Sequence, residues 1–179
     1  MVAERLGTAW QVRPEGMNGR QLPDLPCDEK WIRPLLRDLH AGDVFSVMLG
    51  TNDLLVTTEP DAAEPVRRMR AFLRFLRAEM PETGILVIAP PWVGSEQSRD
   101  PAILRYRETG REMNEGFRQE ALRAGAFFAD AAQWQIDLSA DQVHFSEKGH
   151  RQFAGNMTEI LQAITGSAEE GEGKKAVWK

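Results

Sequence analysis

Apolar residues recur along this chain at two periods, and the alternation between them predicts its elements. Val66, Met69, Leu73, Leu76 and Met80 repeat every three or four positions, with arginines on the other faces, so Asp61 to Met80 is expected as a helix. Ile103, Tyr106, Met113, Phe117 and Ala121 mark a second helix from Pro101, a residue suited to a first turn, to about Ala124. Phe153, Met157, Ile160 and Ile164 mark a third, which Ser146 can cap. Asp28 can likewise cap a helix to about His40, with Trp31, Leu35, Leu36 and Leu39 inward. Val2 to Leu6 reads as the last turns of a helix that Gly7 stops. Between these lie short apolar runs expected as strands: Ala9 to Val12, Asp43 to Leu49, Ile85 to Ala89 and Ala126 to Ala129. The run at Ile85 has no polar alternation, as in a strand covered on both faces. Pro14 to Asp28 and Pro90 to Asp100 are expected as loops, and 165–179, rich in Gly, Glu and Lys, as a disordered tail.

Strands that alternate with helices imply an α/β sandwich on a parallel sheet, with functional groups at the carboxyl ends of the strands. Its 179 residues fit one domain, placed at 1–164. Composition, 42% hydrophobic and 27% charged, is that of a globular protein. A net charge of −5 argues against nucleic acid as a partner, and no run is long enough to span a membrane. A single cysteine, Cys27, excludes an internal disulfide and fits a cytoplasmic location, although a missing N-terminal segment would leave export open. Oligomeric state is not legible.

Two segments carry most of the candidate chemistry. Leu49-Gly50-Thr51-Asn52-Asp53 closes an apolar strand and offers an uncharged amide donor at Asn52. Asp141-Gln142-Val143-His144-Phe145 places a carboxylate three residues before an imidazole. His144 can take and return a proton, and Asp141 can fix its tautomer by accepting from Nδ1. Gly19, without a Cβ, lets a substrate approach its backbone N–H.

Gly16-Met17-Asn18-Gly19-Arg20, Val47 to Asp53 and Asp141 to Ser146 resemble, in order and in spacing, three blocks of the SGNH (GDSL-type) esterases, in particular the arylesterase-like members. The likeness covers roughly Val2 to Leu161. It implies a flavodoxin-like three-layer sandwich and hydrolysis of small acyl esters through an acyl-serine. It implies His144 as base, Asp141 as its orienter, and Gly19 and Asn52 as oxyanion donors, with no cofactor and no metal. The family's Gly-Asp-Ser nucleophile turn is absent from this sequence. The strand that carries it would lie centrally, between the first two strands expected here. Such a strand buries five or six side chains worth on the order of 10 kcal/mol together, comparable to a whole domain's ~5–15 kcal/mol. The expectation is therefore an N-terminally truncated esterase sequence, inactive as it stands. The alternative is a non-catalytic ligand-binding or interaction domain derived from an esterase. A metal-dependent hydrolase using Asp141, His144 and His150 is a third reading.

Other residues have plainer readings. Ser46 lies mid-strand, Ser95, Ser98 and Ser139 lie in loops, and none sits in a nucleophile turn. Asp53 is expected to fix its turn, Arg67 to Arg77 to form a solvated helix face, and His40 to complement a helix C-terminus. Trp92 is a candidate wall for an acyl or alcohol pocket, with core packing as the equal alternative.

Overall fold

In the computed structural model, which describes residues 1–94, 98–169 and 177–178, three strands pair in parallel. They are β1 (Val44–Val47), β2 (Gly84–Ala89) and β3 (Phe127–Asp130), and a two-residue strand, β4 (Val177–Trp178), runs beside β3. The register pairs Val44 with Gly84 and Leu86 with Phe127. Six helices accompany them among the described residues: α1 (Val2–Leu6), α2 (Glu29–Leu36), α3 (Thr51–Leu55), α4 (Ala63–Glu79), α5 (Pro101–Arg123) and α6 (Glu147–Glu169).

β2 shows why the layers number three. Side chains alternate across a strand. Ile85, Val87 and Ala89 pack with Ile32 of α2, Met69 and Leu73 of α4 and Phe117 of α5. Leu86 and Ile88 face the other way, against Leu6 of α1 and Met157, Ile160 and Leu161 of α6. Both faces of the strand are buried, which its uninterrupted apolar run requires. The fold is thus the α/β three-layer sandwich that the sequence predicts.

Among the described residues β1 has a ladder partner on one side only, because the sheet runs in the order β1-β2-β3-β4. Ser46, in its middle, is exposed. The expected strand at Ala9 to Val12 does not form. Gly7–Ala9 is a 3-10 turn, and Trp10 is extended but unpaired. An extended segment becomes a strand only when another completes its hydrogen bonds, and no described strand lies beside this one.

Element ends and one cap also differ. α2 stops at Leu36, and the following turn is closed by Asp43, whose Oδ2 accepts from the His40 backbone N–H at 2.8 Å, so His40 lies beyond the helix end. Asp28 stands at the start of α2 without capping it by its side chain. Its backbone is already helical, and its carboxylate accepts the Asp24 N–H at 2.7 Å instead. α6 passes Ile164 and continues to Glu169, with the Thr165 hydroxyl bonded back to the Leu161 carbonyl at 3.1 Å. The rest of the expected tail, 170–176 and 179, lies outside the described residues. Ser146 does cap α6: its Oγ accepts the Gly149 N–H at 3.0 Å.

Candidate active site

α3 is too short for a hydrophobic period to reveal it, and it begins where β1 has just ended. Gly50, at φ 119°, makes the reversal between them. That φ calls for glycine, and a Cβ there would lie 2.9 Å from the Met113 side chain and 3.0 Å from Phe117, so those side chains would have to shift. The reversal puts Asn52 and Asp53 in the first turn of α3, at the carboxyl edge of the sheet.

These two residues bind the segment that contains Gly19. Asn52 Nδ2 donates to the Arg20 carbonyl at 2.9 Å. Both Asp53 carboxylate oxygens accept the Leu22 N–H, at 3.1 and 3.3 Å. Arg68 on α4 closes the arrangement, donating to the Leu22 carbonyl at 3.3 Å and lying 3.7 Å from Asp53. Asp53 is nearly enclosed, its side chain 6% exposed, and burial pushes its carboxyl above the ordinary range. Expected to fix its own turn, it instead holds the distant Leu22 backbone. Gly19, at φ 70°, is exposed, with no atom near the position of a Cβ.

Asp141 and His144 lie on the segment after β3. His144 Nδ1 and Asp141 Oδ2 are 2.7 Å apart. Asp141 Oδ1 accepts the Val143 N–H at 2.9 Å, the His144 N–H at 3.0 Å and the Ser139 hydroxyl at 2.7 Å. Those bonds, led by the Val143 N–H and then the imidazole, hold its carboxyl well below the usual carboxylate range. Ser139 N–H donates to the His144 carbonyl at 2.7 Å, and Leu138 bridges Phe145, which closes the segment into a hairpin-like loop. Asp137 accepts the Ser146 N–H at 3.0 Å, tying the loop to the start of α6. The ring is in the open: His144's side chain is 81% exposed and Asp141's 52%.

The structure therefore joins Asn52 to the Gly19 segment, and Asp141 to His144. Both pairs stand at the same edge of the sheet, after β1 and β3. Between them runs the loop after β2, where the Gly94 N–H donates to the Gln142 carbonyl at 2.9 Å. In that loop Trp92 lines a narrow cleft with Thr51, Leu54, Tyr106 and Met113, beside the Asn52 turn. No described serine hydroxyl bonds the His144 ring: Ser139 is committed to Asp141, and Ser146 to Asp137 and the Gly149 N–H. His150 stacks edge-on against Phe145, and no group of three potential ligands is assembled among the described residues.

Sequence reasoning missed two supports. Arg77, expected on a solvated face, donates its guanidinium to the Ala124, Thr83 and Gly125 carbonyls, pinning α4 to the turns before β2 and β3. Asn114, buried on α5, donates to the Pro90 carbonyl at 3.0 Å and to Asp130 at 3.3 Å, holding the ends of β2 and β3 together. Its polar side chain amid the apolar face of α5 is the signal that could have revealed it.

A profile of the GDSL-like lipase/acylhydrolase family matches residues 1–152. Among solved structures, an aryl esterase of M. smegmatis superposes with a TM-score of 0.75 at 20% identity, over 91% of this chain and 83% of that one. A carbohydrate acetylesterase from Sinorhizobium meliloti gives 0.74 at 19% identity, again over 91% and 83%. At these identities the likeness concerns the fold. A search of curated proteins gives no significant match.

Proposed function

The chain belongs to the GDSL-like lipase/acylhydrolase family, and we propose that it carries the acid–base pair and the oxyanion donors of a serine esterase for small acyl esters. The observation that supports this most is the 2.7 Å contact of Asp141 with His144 Nδ1. With Nδ1 engaged, the proton of the neutral ring lies on that side and Nε2 is left as the base. Asp141, kept ionised by its four donors, orients the ring and stabilises the imidazolium that forms.

In the reaction a serine hydroxyl adds to the ester carbonyl as its proton passes to His144 Nε2. The resulting oxyanion takes hydrogen bonds from the Asn52 amide and the Gly19 N–H. The C–O bond to the alcohol then breaks as His144 returns the proton to the leaving oxygen, and water repeats the sequence on the acyl-serine. Asn52 Nδ2 now serves the Arg20 carbonyl, and its second hydrogen is the one free for substrate. Trp92, beside the Asn52 turn, is the candidate wall against which the acyl or alcohol group would rest.

Among the described residues no serine is placed to act as the nucleophile, and the expectation that goes with this reading is that the chain by itself does not turn over by this route. The open edge of β1 is where a further parallel strand would add, and a serine at the carboxyl end of such a strand would emerge beside Asn52. Hydrolysis of a short activated ester tests both statements. The chain by itself is expected to show no rate above background, whereas a version lengthened at its N-terminus by an apolar strand ending in Gly-Asp-Ser gains one that His144→Ala removes. A rate from residues 1–179 that disappears in His144→Ala would require one of the existing serines as nucleophile. No gain in the lengthened version would favour the non-catalytic alternative, a binding domain derived from an esterase.

A further inference from the structure

We propose that Arg107 is a positioning residue for the Asp141–His144 loop, acting through the backbone of Gly94. This rests on the reading of that pair as the acid–base machinery. Arg107 lies on α5 and is only 7% exposed, yet among the described residues it forms no ion pair. Burying a guanidinium costs free energy that a carboxylate usually offsets. Among the described residues the partner is a carbonyl: Arg107 Nη1 donates to Gly94 O at 3.2 Å. The N–H of the same glycine donates to Gln142 O at 2.9 Å, between Asp141 and His144. One residue thus receives a charged donor from the core and passes a hydrogen bond to the exposed loop.

The seat of Gly94 is shaped for this. Its φ of 80° is one that side chains rarely adopt, and a Cβ would fall 2.2 Å from Ile103 Cγ2, on the same helix as Arg107. α5 therefore fixes Gly94 by shape at Ile103 and by charge at Arg107. The arrangement answers a need of the site. The Asp141–His144 loop is exposed, and a base held by local bonds alone would keep its geometry only as well as the loop does. A hydrogen bond from a residue seated on the central helix ties it to the sheet.

The test uses the full chain and nuclear magnetic resonance, comparing wild type with Arg107→Met, which keeps the apolar stem and loses the donors, and Arg107→Lys, which keeps one. In wild type, Asp141 should stay ionised from about pH 5 to about pH 3, below the ordinary carboxylate midpoint. In Arg107→Met the Asp141 carboxyl signal should titrate at least ~1 unit higher, and the Gly94 amide should exchange roughly 10-fold faster. β2 amides and the global melt should not move, and Arg107→Lys should recover most of both effects. An Asp141 titration unmoved in Arg107→Met would overturn the proposal, and so would a lysine variant no better than the methionine one. If Arg107→Met does not fold, Ile103→Ala loosens the same seat without removing charge. It must then speed Gly94 exchange and raise the Asp141 midpoint, and failure to do either sinks the idea. None of these readouts depends on ester turnover, so they stand or fall apart from the hydrolase assignment.

Discussion

Asn52 stands next to a carboxylate that is 6% exposed and bonded to the Leu22 backbone, while His144 is 81% exposed on a loop held by its own hydrogen bonds. The proposed donor half is therefore anchored by burial at Asp53: α3, α4 and Leu22, three residues after the exposed Gly19, meet around its carboxylate. The proposed acid–base half is fixed mostly by local satisfaction, with Asp141 collecting donors from within a few residues of itself and Gly94 reaching Gln142 from the loop after β2. The difference suits the roles proposed for each half. An oxyanion donor must already point at charge that exists only in the transition state, which rewards rigidity. A base must exchange protons with substrate and water, which rewards access.

The sharpest way to break this comparison is to remove the donor itself. In the lengthened, serine-bearing version, Asn52→Ala should lower kcat by about 10²–10³ with little change in substrate affinity, the usual loss for one oxyanion donor. Near-full kcat would make Asn52 merely the residue that holds the Arg20 carbonyl. Next in size is an attack on the anchor of the acid–base half. A Cβ on Gly149 would lie 2.0 Å from the Asp137 carbonyl oxygen, backbone that cannot swing aside. Gly149→Ala should destabilise the fold by about 3 kcal/mol in denaturant titration and displace the Asp137–Ser146 contact. A variant as stable as wild type would show that the loop yields freely at its junction with α6.

Asp53→Ala tests burial in the donor half, since it leaves the Leu22 N–H without its acceptor. A loss of about 1–3 kcal/mol is expected, and a negligible loss would mean that water replaces the carboxylate. The same two carboxylates also predict opposite pH dependences. Asp53 is raised by burial, so the folded state holds its proton more tightly than the unfolded chain. Its contribution to stability is complete below the ordinary value of ~3.9 and is lost as pH rises through the raised one. Asp141 is lowered by its donors, so its contribution is present above ~3.9 and is lost as pH falls toward its depressed value. Urea melts across the acid range should therefore show the stability advantage of wild type over Asp53→Asn shrinking with rising pH. The advantage over Asp141→Asn should grow over the same range. Slopes of the same sign would end the contrast between the halves. The smallest effect concerns the bare edge of β1, which can recruit other chains. Ser46→Lys should reduce self-association in size-exclusion chromatography if that edge is the cause, and an unchanged elution profile would place the association elsewhere.

By itself the sequence determined the periods that make β2 a strand covered on both faces and α4, α5 and α6 helices, because burial leaves its repeat in the order of residues. It also determined the Asp141–His144 pair, three residues apart, whose contact is made within one loop. What only the tertiary structure decided are the relations between segments distant in sequence. Asp53 reaches Leu22, and Arg77 reaches three carbonyls on two turns. Gly94 stands between Arg107 and Gln142. α3 was too short to leave a period. Ala9 to Val12 had the composition of a strand and stayed unpaired, because a strand is completed by its neighbour, and which neighbours stand beside it is settled only when the sheet assembles.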